Sequence, residues 1–262
     1  KCMNTPNNNT FHQALRLQSY MSQHGFDSHP SLSNLAVSML VESGNLQIAH
    51  NVFDRLLDKG ERSWCSLING YIKYGNLKQA LQLYGKMKVN GLHPSEHTLV
   101  ALIKSCSNLK DVEEGEEIYA YIVDTREELL NSNLFLGTAL VDMFAKFRML
   151  RQAREVFEKI RVRDLALWNA MISGYAQHGE GKEALRCFDK MLSKSLSPNA
   201  ITFVSILKAC GNVMDLDKGS EIHQEIVRMN LLENDHVLGT SLVDMYVKCG
   251  MLEKARKALG WV

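Results

Sequence analysis

Prolines are few, four in 262 residues, and no two of the six cysteines (Cys2, Cys65, Cys106, Cys187, Cys210, Cys249) stand in a Cys-x-x-Cys pair. Scarce proline removes the strongest helix breaker. The cysteine spacing, with no histidine at zinc-finger distance, excludes the common structural zinc motifs. Four of the thiols fall inside apolar helical patterns and are expected as small buried hydrophobes. Excess charge is missing as well: 30 basic side chains face 29 acidic ones, a formal net charge of +1. That argues against an unselective polyanion binder but allows a basic track on one face. No apolar run approaches the ~20 residues that span a bilayer, so no membrane partner is expected. Glycine-rich phosphate loops, Ser/His/Asp sets and framed carboxylate pairs are lacking too. Neither an enzyme nor a metal or nucleotide cofactor is therefore expected. His178 and Glu180 have His-x-Glu spacing, but they sit in a turn between helices with no Cys-x-x-Cys after them.

What the chain does contain is internal repetition. WNAMISGYAQHGEGKEALRCFDKM from Trp168 echoes WCSLINGYIKYGNLKQALQLYGKM from Trp64, 104 residues earlier. GTSLVDMYVKCGMLEKARKAL from Gly239 echoes GTALVDMFAKFRMLRQAREVF from Gly137, 102 residues earlier. TFVSILKACGNVMDLDKGSEIH from Thr202 echoes TLVALIKSCSNLKDVEEGEEIY from Thr98, again 104 residues earlier. Three kinds of unit therefore alternate inside a larger repeat.

Each unit follows one internal plan. In the unit from Leu165, Trp168, Met171, Ile172 and Tyr175 form one face of a first helix. Gly179 and Gly181 mark a turn, and Ala184, Leu185, Phe188 and Met191 form the face of a second helix. Pro198 closes the unit. Neither helix can bury its stripe alone, so stacked hairpins are required and an all-α solenoid is expected. A small residue opens each second helix (Ala49, Ala80, Gly115, Ala153, Ala184, Gly219, Ala255). A larger one follows four places on (Phe53, Tyr84, Tyr119, Phe157, Phe188, His223, Leu259). These are read as packing positions.

The plan places units at 30–60, 61–95, 96–133, 134–164, 165–199, 200–235 and 236–262, the last truncated, after a partial unit within 1–29. The full units are 31, 35, 38, 31, 35 and 36 residues long. Because the chain opens and closes inside units, it is expected to be part of a longer array. The surplus of the 96–133 unit, DTREELLNSN from Asp124, is expected to lengthen the loop between repeats.

These phrases resemble the pentatricopeptide repeat family, and "GTSLVDMYVKCGMLEKARK" does so as closely as the run from Trp168. The alternating lengths resemble the plant-type PLS subclass. Units 61–95 and 165–199 are then P-type. Units 96–133 and 200–235, with the partial 1–29, are L-type. Units 30–60, 134–164 and the truncated 236–262 are S-type. The resemblance implies a right-handed superhelix that binds single-stranded RNA in a mitochondrion or chloroplast. It implies a role in RNA processing or C-to-U editing. The chemistry would then lie in a deaminase-like domain elsewhere in the protein or in an enzyme recruited in trans.

In that family the fifth and last residues of a unit specify a base. The implied pairs are Asn34 with Gly60, Cys65 with Ser95, Val100 with Asn133, Thr138 with Asp164, Asn169 with Asn199, and Val204 with Asp235. Thr240 stands alone in the truncated unit. Thr138 with Asp164 resembles a guanine reader and Asn169 with Asn199 a pyrimidine reader. Cys65 and the two valines depart from the pattern. The second residues Arg62, Phe135, Ala166, Ile201 and Val237 are implied to flank bases by stacking or apolar contact. From the basic residues themselves, Lys73, Lys146 and Lys248 at position 13 and Lys104 and Lys208 at position 9 form a candidate phosphate track. A protein-binding scaffold is the alternative reading, since solenoids also present long surfaces to peptides.

Overall fold

The computed structural model describes residues 16, 19, 20, 23, 30–232 and 235–259. The partial unit expected within 1–29 falls almost wholly outside them, as does the side chain of Leu259. Among the described residues every regular element is a helix. They group into two compact units, one ending at Leu109 and one beginning at Lys110.

The first unit holds α1 (Pro30–Glu42), α2 (Leu46–Arg55), α3 (Glu61–Lys73), α4 (Leu77–Val89) and α5 (Glu96–Leu109). The helices α1 and α2, and then α3 and α4, pair as hairpins, and α1, α3 and α5 stack in sequence. The second unit holds α6 (Val112–Arg126), α7 (Leu129–Ser132), α8 (Leu134–Lys146), α9 (Leu150–Lys159) and α10 (Leu165–Gln177). It continues with α11 (Gly181–Ser193), α12 (Ala200–Val213), α13 (Leu216–Arg228), α14 (His236–Lys248) and α15 (Leu252–Leu259). Here α8, α10, α12 and α14 stack one on the next, each paired with the helix that follows it. The expected all-α solenoid of tandem helical hairpins is what each unit contains.

The turn inside each hairpin has one form. The chain enters the left-handed region at Gly44, Gly75, Arg148, Gly179, Met214 and Gly250, and does the same at Lys110, between α5 and α6 in the chain. After Gly44, for example, Asn45 N–H donates to the Leu40 carbonyl, closing the helix end with a six-residue ring. Four of the seven positions hold glycine, which reaches this region without strain. The other three carry a side chain there.

Small residues set the hairpin spacing. Ala49, Ala80, Ala153 and Ala184 are fully buried and Ala255 nearly so. A Cβ on Gly115 or Gly219 would come within 3.0 Å of the Met143 or Met245 sulfur. The large residues four places on fill the layer between hairpins. Phe53 stands edge-on to Trp64 at 4.7 Å, and Phe157 edge-on to Trp168 at 4.8 Å. Each such ring pair adds about 0.5–1.5 kcal/mol beyond burial.

The 124–133 surplus is not the loop expected from sequence. Helix α6 runs on to Arg126 and α7 adds a turn, whose Leu129 and Leu130 are buried. Two leucines in a polar run are too few to show helical periodicity. Their burial beside α8 is what orders the segment. Asn131 Oδ1 also accepts the Arg161 N–H at 3.1 Å.

Candidate nucleic-acid interface

Positions 2, 5, 9 and 13 of a first helix are three, four and four residues apart, so they form one stripe along it. In α8 the stripe is Phe135, Thr138, Asp142 and Lys146. In α10 it is Ala166, Asn169, Ser173 and Gln177. In α12 it is Ile201, Val204, Lys208 and Asn212, and in α14 Val237, Thr240, Asp244 and Lys248. Consecutive stacking repeats the stripe from helix to helix within the unit. In the first unit α3 carries Arg62, Cys65, Asn69 and Lys73.

The outer end of the stripe is apolar and open to solvent. Phe135 is 82% exposed, Val237 64% and Ile201 62%. Ala166 and Arg62 are exposed as well. Three large apolar side chains at equivalent places on α8, α12 and α14 leave apolar area in water, which burial against a ligand would recover.

One turn further in, the fifth residue meets the last at three of the junctions. Asn169 Nδ2 donates to Asn199 Oδ1 at 3.2 Å. The Ser95 backbone N–H donates to Cys65 Sγ at 3.4 Å. A Cβ on Gly60 would lie 3.6 Å from Asn34 Nδ2. Asn169 and Cys65 are buried, Asn34, Thr138 and Val204 half-buried, and Thr240 exposed. Thr138 makes no hydrogen bond through its hydroxyl among the described residues. Thr240 turns its hydroxyl back to the His236 carbonyl at 2.7 Å.

The last residue of a unit also starts the next helix. Asn133 Oδ1 accepts from Leu136 N–H, Asp164 Oδ1 from Leu167 N–H, Asn199 Oδ1 from Thr202 N–H and Asp235 Oδ1 from Leu238 N–H, at 2.9–3.1 Å. Ser95 Oγ takes the Thr98 N–H at 3.3 Å, and Gly60 caps without a side chain. Such caps contribute about 1 kcal/mol each.

All five lysines of the expected track are exposed. Lys146 pairs with Asp142 and Lys248 with Asp244, each at 2.8 Å on its own helix. Lys73 stands over the Tyr74 ring and lines a cavity of about 230 Å³ with Ser38, Glu42, Ser66 and Asn69. Lys104 and Lys208 form no ion pair among the described residues. Exposed i,i+4 pairs contribute only ~0.3–0.5 kcal/mol, so a phosphate can displace either carboxylate.

His178 is not poised for catalysis. Its Nε2 lies 2.6 Å from the Ala145 carbonyl and its Nδ1 takes a contact from Arg148 Nε at 3.4 Å. Among the described residues no three His, Cys, Asp or Glu side chains gather to hold a metal. No described helix is long and apolar enough to cross a membrane.

The profile described as PPR repeat family matches residues 59–108 and 163–212, and that described as PPR repeat matches 138–165 and 240–260. Together they cover more than half of the chain. The chain belongs to the pentatricopeptide repeat family.

Its relatives in Arabidopsis thaliana include a pentatricopeptide repeat-containing protein 35% identical over 224 residues, which is 85% of this chain and 30% of the relative. A chloroplastic one is 33% identical across 92% of this chain and 29% of its own length. A mitochondrial one is 34% identical across 89% and 22%. This pentatricopeptide array thus spans about a third or less of these relatives. Among solved structures it resembles the pentatricopeptide repeat protein PPR10 in complex with an 18-nucleotide psaJ RNA element. There the TM-score is 0.70 at 19% identity, over 94% of this chain and 36% of that one. At that identity the likeness is one of fold.

Sequence reading of the repeats missed the carboxylates of Asp142 and Asp244, although their spacing to Lys146 and Lys248 was in plain sight. It also missed the capping role of the last residues, for which Asn, Asp and Ser just before an apolar helical run are the signal.

Proposed function

We propose that this pentatricopeptide array binds single-stranded RNA, one base to a repeat, as the recognition part of organellar RNA processing or C-to-U editing. The observation that carries the reading is the hydrogen bond between Asn169 and Asn199, a fifth and a last residue, on a stripe whose outer end is exposed and apolar. An unstacked base has two faces and a polar edge. Phe135, Ile201, Val237 and Arg62 offer surface to the faces, and Ala166 offers less. The inner pairs offer hydrogen-bonding groups to the edge. At Thr138 and Asp164 the pair retains the second carboxylate oxygen as an acceptor, which suits the N1–H and amino donors of guanine. Further along each helix, Lys73, Lys104, Lys146, Lys208 and Lys248 stand where a backbone would pass.

The left-handed turns at residues 44, 75, 110, 148, 179, 214 and 250 are spaced by 31, 35, 38, 31, 35 and 36 residues. That spacing supports the S, P and L alternation and hence the PLS subclass. Chloroplastic and mitochondrial relatives support an organellar setting. The chemistry of editing would belong to another domain or to an enzyme in trans.

The test is a fluorescence titration, at two salt concentrations, of RNA pools varied at the bases facing Thr138 and Asn169. The expected order is guanine and then a pyrimidine. The double substitution Thr138→Asn with Asp164→Asn should move the first preference to a pyrimidine. Binding with no base preference in either protein would discard the repeat frame. Absence of binding at low salt would favour a protein partner for the exposed apolar ends.

A further inference from the structure

Asn169 does not choose its own orientation. The chain of constraint begins at a backbone group. Thr202 N–H, in the first turn of α12, must be capped, and Asn199 Oδ1 caps it at 3.1 Å. That fixes the Asn199 oxygen inward. Asn169 is 7% exposed and lies beside that oxygen. An amide turned the other way would set its own oxygen against Asn199 Oδ1, so Asn169 presents Nδ2 to it at 3.2 Å. The Asn169 oxygen is thereby directed to the Thr202 hydroxyl, whose single hydrogen has two acceptors in reach, Asn169 Oδ1 at 2.7 Å and Asn199 Oδ1 at 3.0 Å, and serves the shorter contact to Asn169. The same hydroxyl accepts the Asn199 N–H at 3.1 Å and is itself fully buried.

Resting on the RNA reading of this repeat, we propose that Thr202 is a positioning residue for base selection in the preceding repeat. It holds the Asn169 carbonyl inward so that the site shows amide N–H groups to the base. Asn169 has one Nδ2 hydrogen left, and the Asn199 amino group makes no hydrogen bond among the described residues. Both oxygens are engaged. The pair is therefore a donor edge, matched to a base that presents acceptors there. Cytosine offers adjacent acceptors at O2 and N3, whereas uracil carries a hydrogen on N3.

The equivalent junction in the first unit supplies an internal contrast. Thr98 is also fully buried and faces the capping Ser95, Oγ to Oγ1 at 2.9 Å. The fifth residue there is Cys65, which has no amide to orient. Its threonine hydroxyl instead accepts from Asn69 Nδ2 at 3.0 Å, at the ninth position of the stripe and not the fifth.

The experiment compares RNAs with cytosine, uracil or adenine at the base facing Asn169, in the wild-type chain and in Thr202→Val, Thr202→Ser and Thr98→Val. Wild type is expected to prefer the pyrimidines, with cytosine ahead. Thr202→Val keeps the backbone cap on Asn199 but leaves the buried Asn169 carbonyl without its donor, so the amide shifts towards the base side to find one, and the cytosine-over-uracil ratio should collapse by about tenfold or to unity. Thr202→Ser keeps the hydroxyl and should restore the ratio. Thr98→Val should lower the melting temperature and leave this ratio unchanged. If Thr202→Val does not fold, Thr202→Ala removes the same hydroxyl with circular dichroism as the check on folding. A ratio that survives loss of the hydroxyl, with binding merely weaker on all RNAs, overturns the positioning role and leaves RNA reading intact. A wild-type chain indifferent to this base overturns both.

Discussion

Nδ1 of His223 lies 2.8 Å from the Tyr246 hydroxyl, tying α13 to the following first helix, α14. The same bond, 2.7 Å long, ties His50 on α2 to Tyr71 on α3. Each replaces a purely apolar contact with a directional one at a hairpin junction.

Burial, and secondarily the charge of Lys254, holds the His223 imidazole below its usual range. Protonation is therefore harder in the folded chain than in the unfolded one, whose imidazole titrates near 6.5. Stability is fully present above that value and is lost as pH falls through the depressed folded value. Melting temperatures should be level above about pH 7 and should drop below about 6.5. His223→Phe, which keeps the ring and removes the titration, should flatten that limb. An unchanged slope in the variant would assign the acid sensitivity to other groups.

Phe135 offers a clean separation of binding from folding. Its ring is 82% exposed, so Phe135→Ala should change the unfolding free energy by less than ~0.5 kcal/mol. Loss of a stacking platform should weaken RNA binding by about 1–3 kcal/mol. A titration and a denaturant curve on one sample read both quantities.

The helix-borne carboxylates set a different expectation. Asp142 holds Lys146 at 2.8 Å. Asp142→Asn should release that lysine and tighten RNA binding at low salt about two- to threefold. Lys73→Ala should lower the slope of log affinity against log salt by ~0.7. Unaltered slopes would place the RNA backbone elsewhere.

Met214 adopts a φ of 57° with its side chain 72% exposed. A side chain in this region costs about 1–2 kcal/mol, against roughly 0.5–1 kcal/mol of extra chain entropy for glycine. Met214→Gly should therefore stabilise the chain by about 0.5 kcal/mol, seen as a higher denaturant midpoint at constant m-value.

The hairpins, their turns and the small residues that space them were legible because they repeat, and repetition averages out local ambiguity. Ala184 and Gly219 could be recognised from position alone. Leu129 and Leu130 could not, because their helical turn exists only against the surface that buries them. The second and fifth positions were legible through the family resemblance, and helical geometry adds only that they share a stripe with the thirteenth. Burial of Asn169 was not: its partner Thr202 is 33 residues away, and nothing near Asn169 announces that both of its polar atoms are engaged.

The residues that end the repeats, proposed above to read bases, have a structural task as well. Because Asn133, Asp164, Asn199 and Asp235 each supply an oxygen to the start of the following helix, their vocabulary is restricted to residues that begin helices well. A designer who rewrites one of these letters also edits the folding of the next hairpin. A residue outside Asn, Asp, Ser, Thr and Gly would cost the protein about 1 kcal/mol at that junction before any RNA arrived. A recoded array is thus best built by exchanging the fifth residue and the cap together, junction by junction.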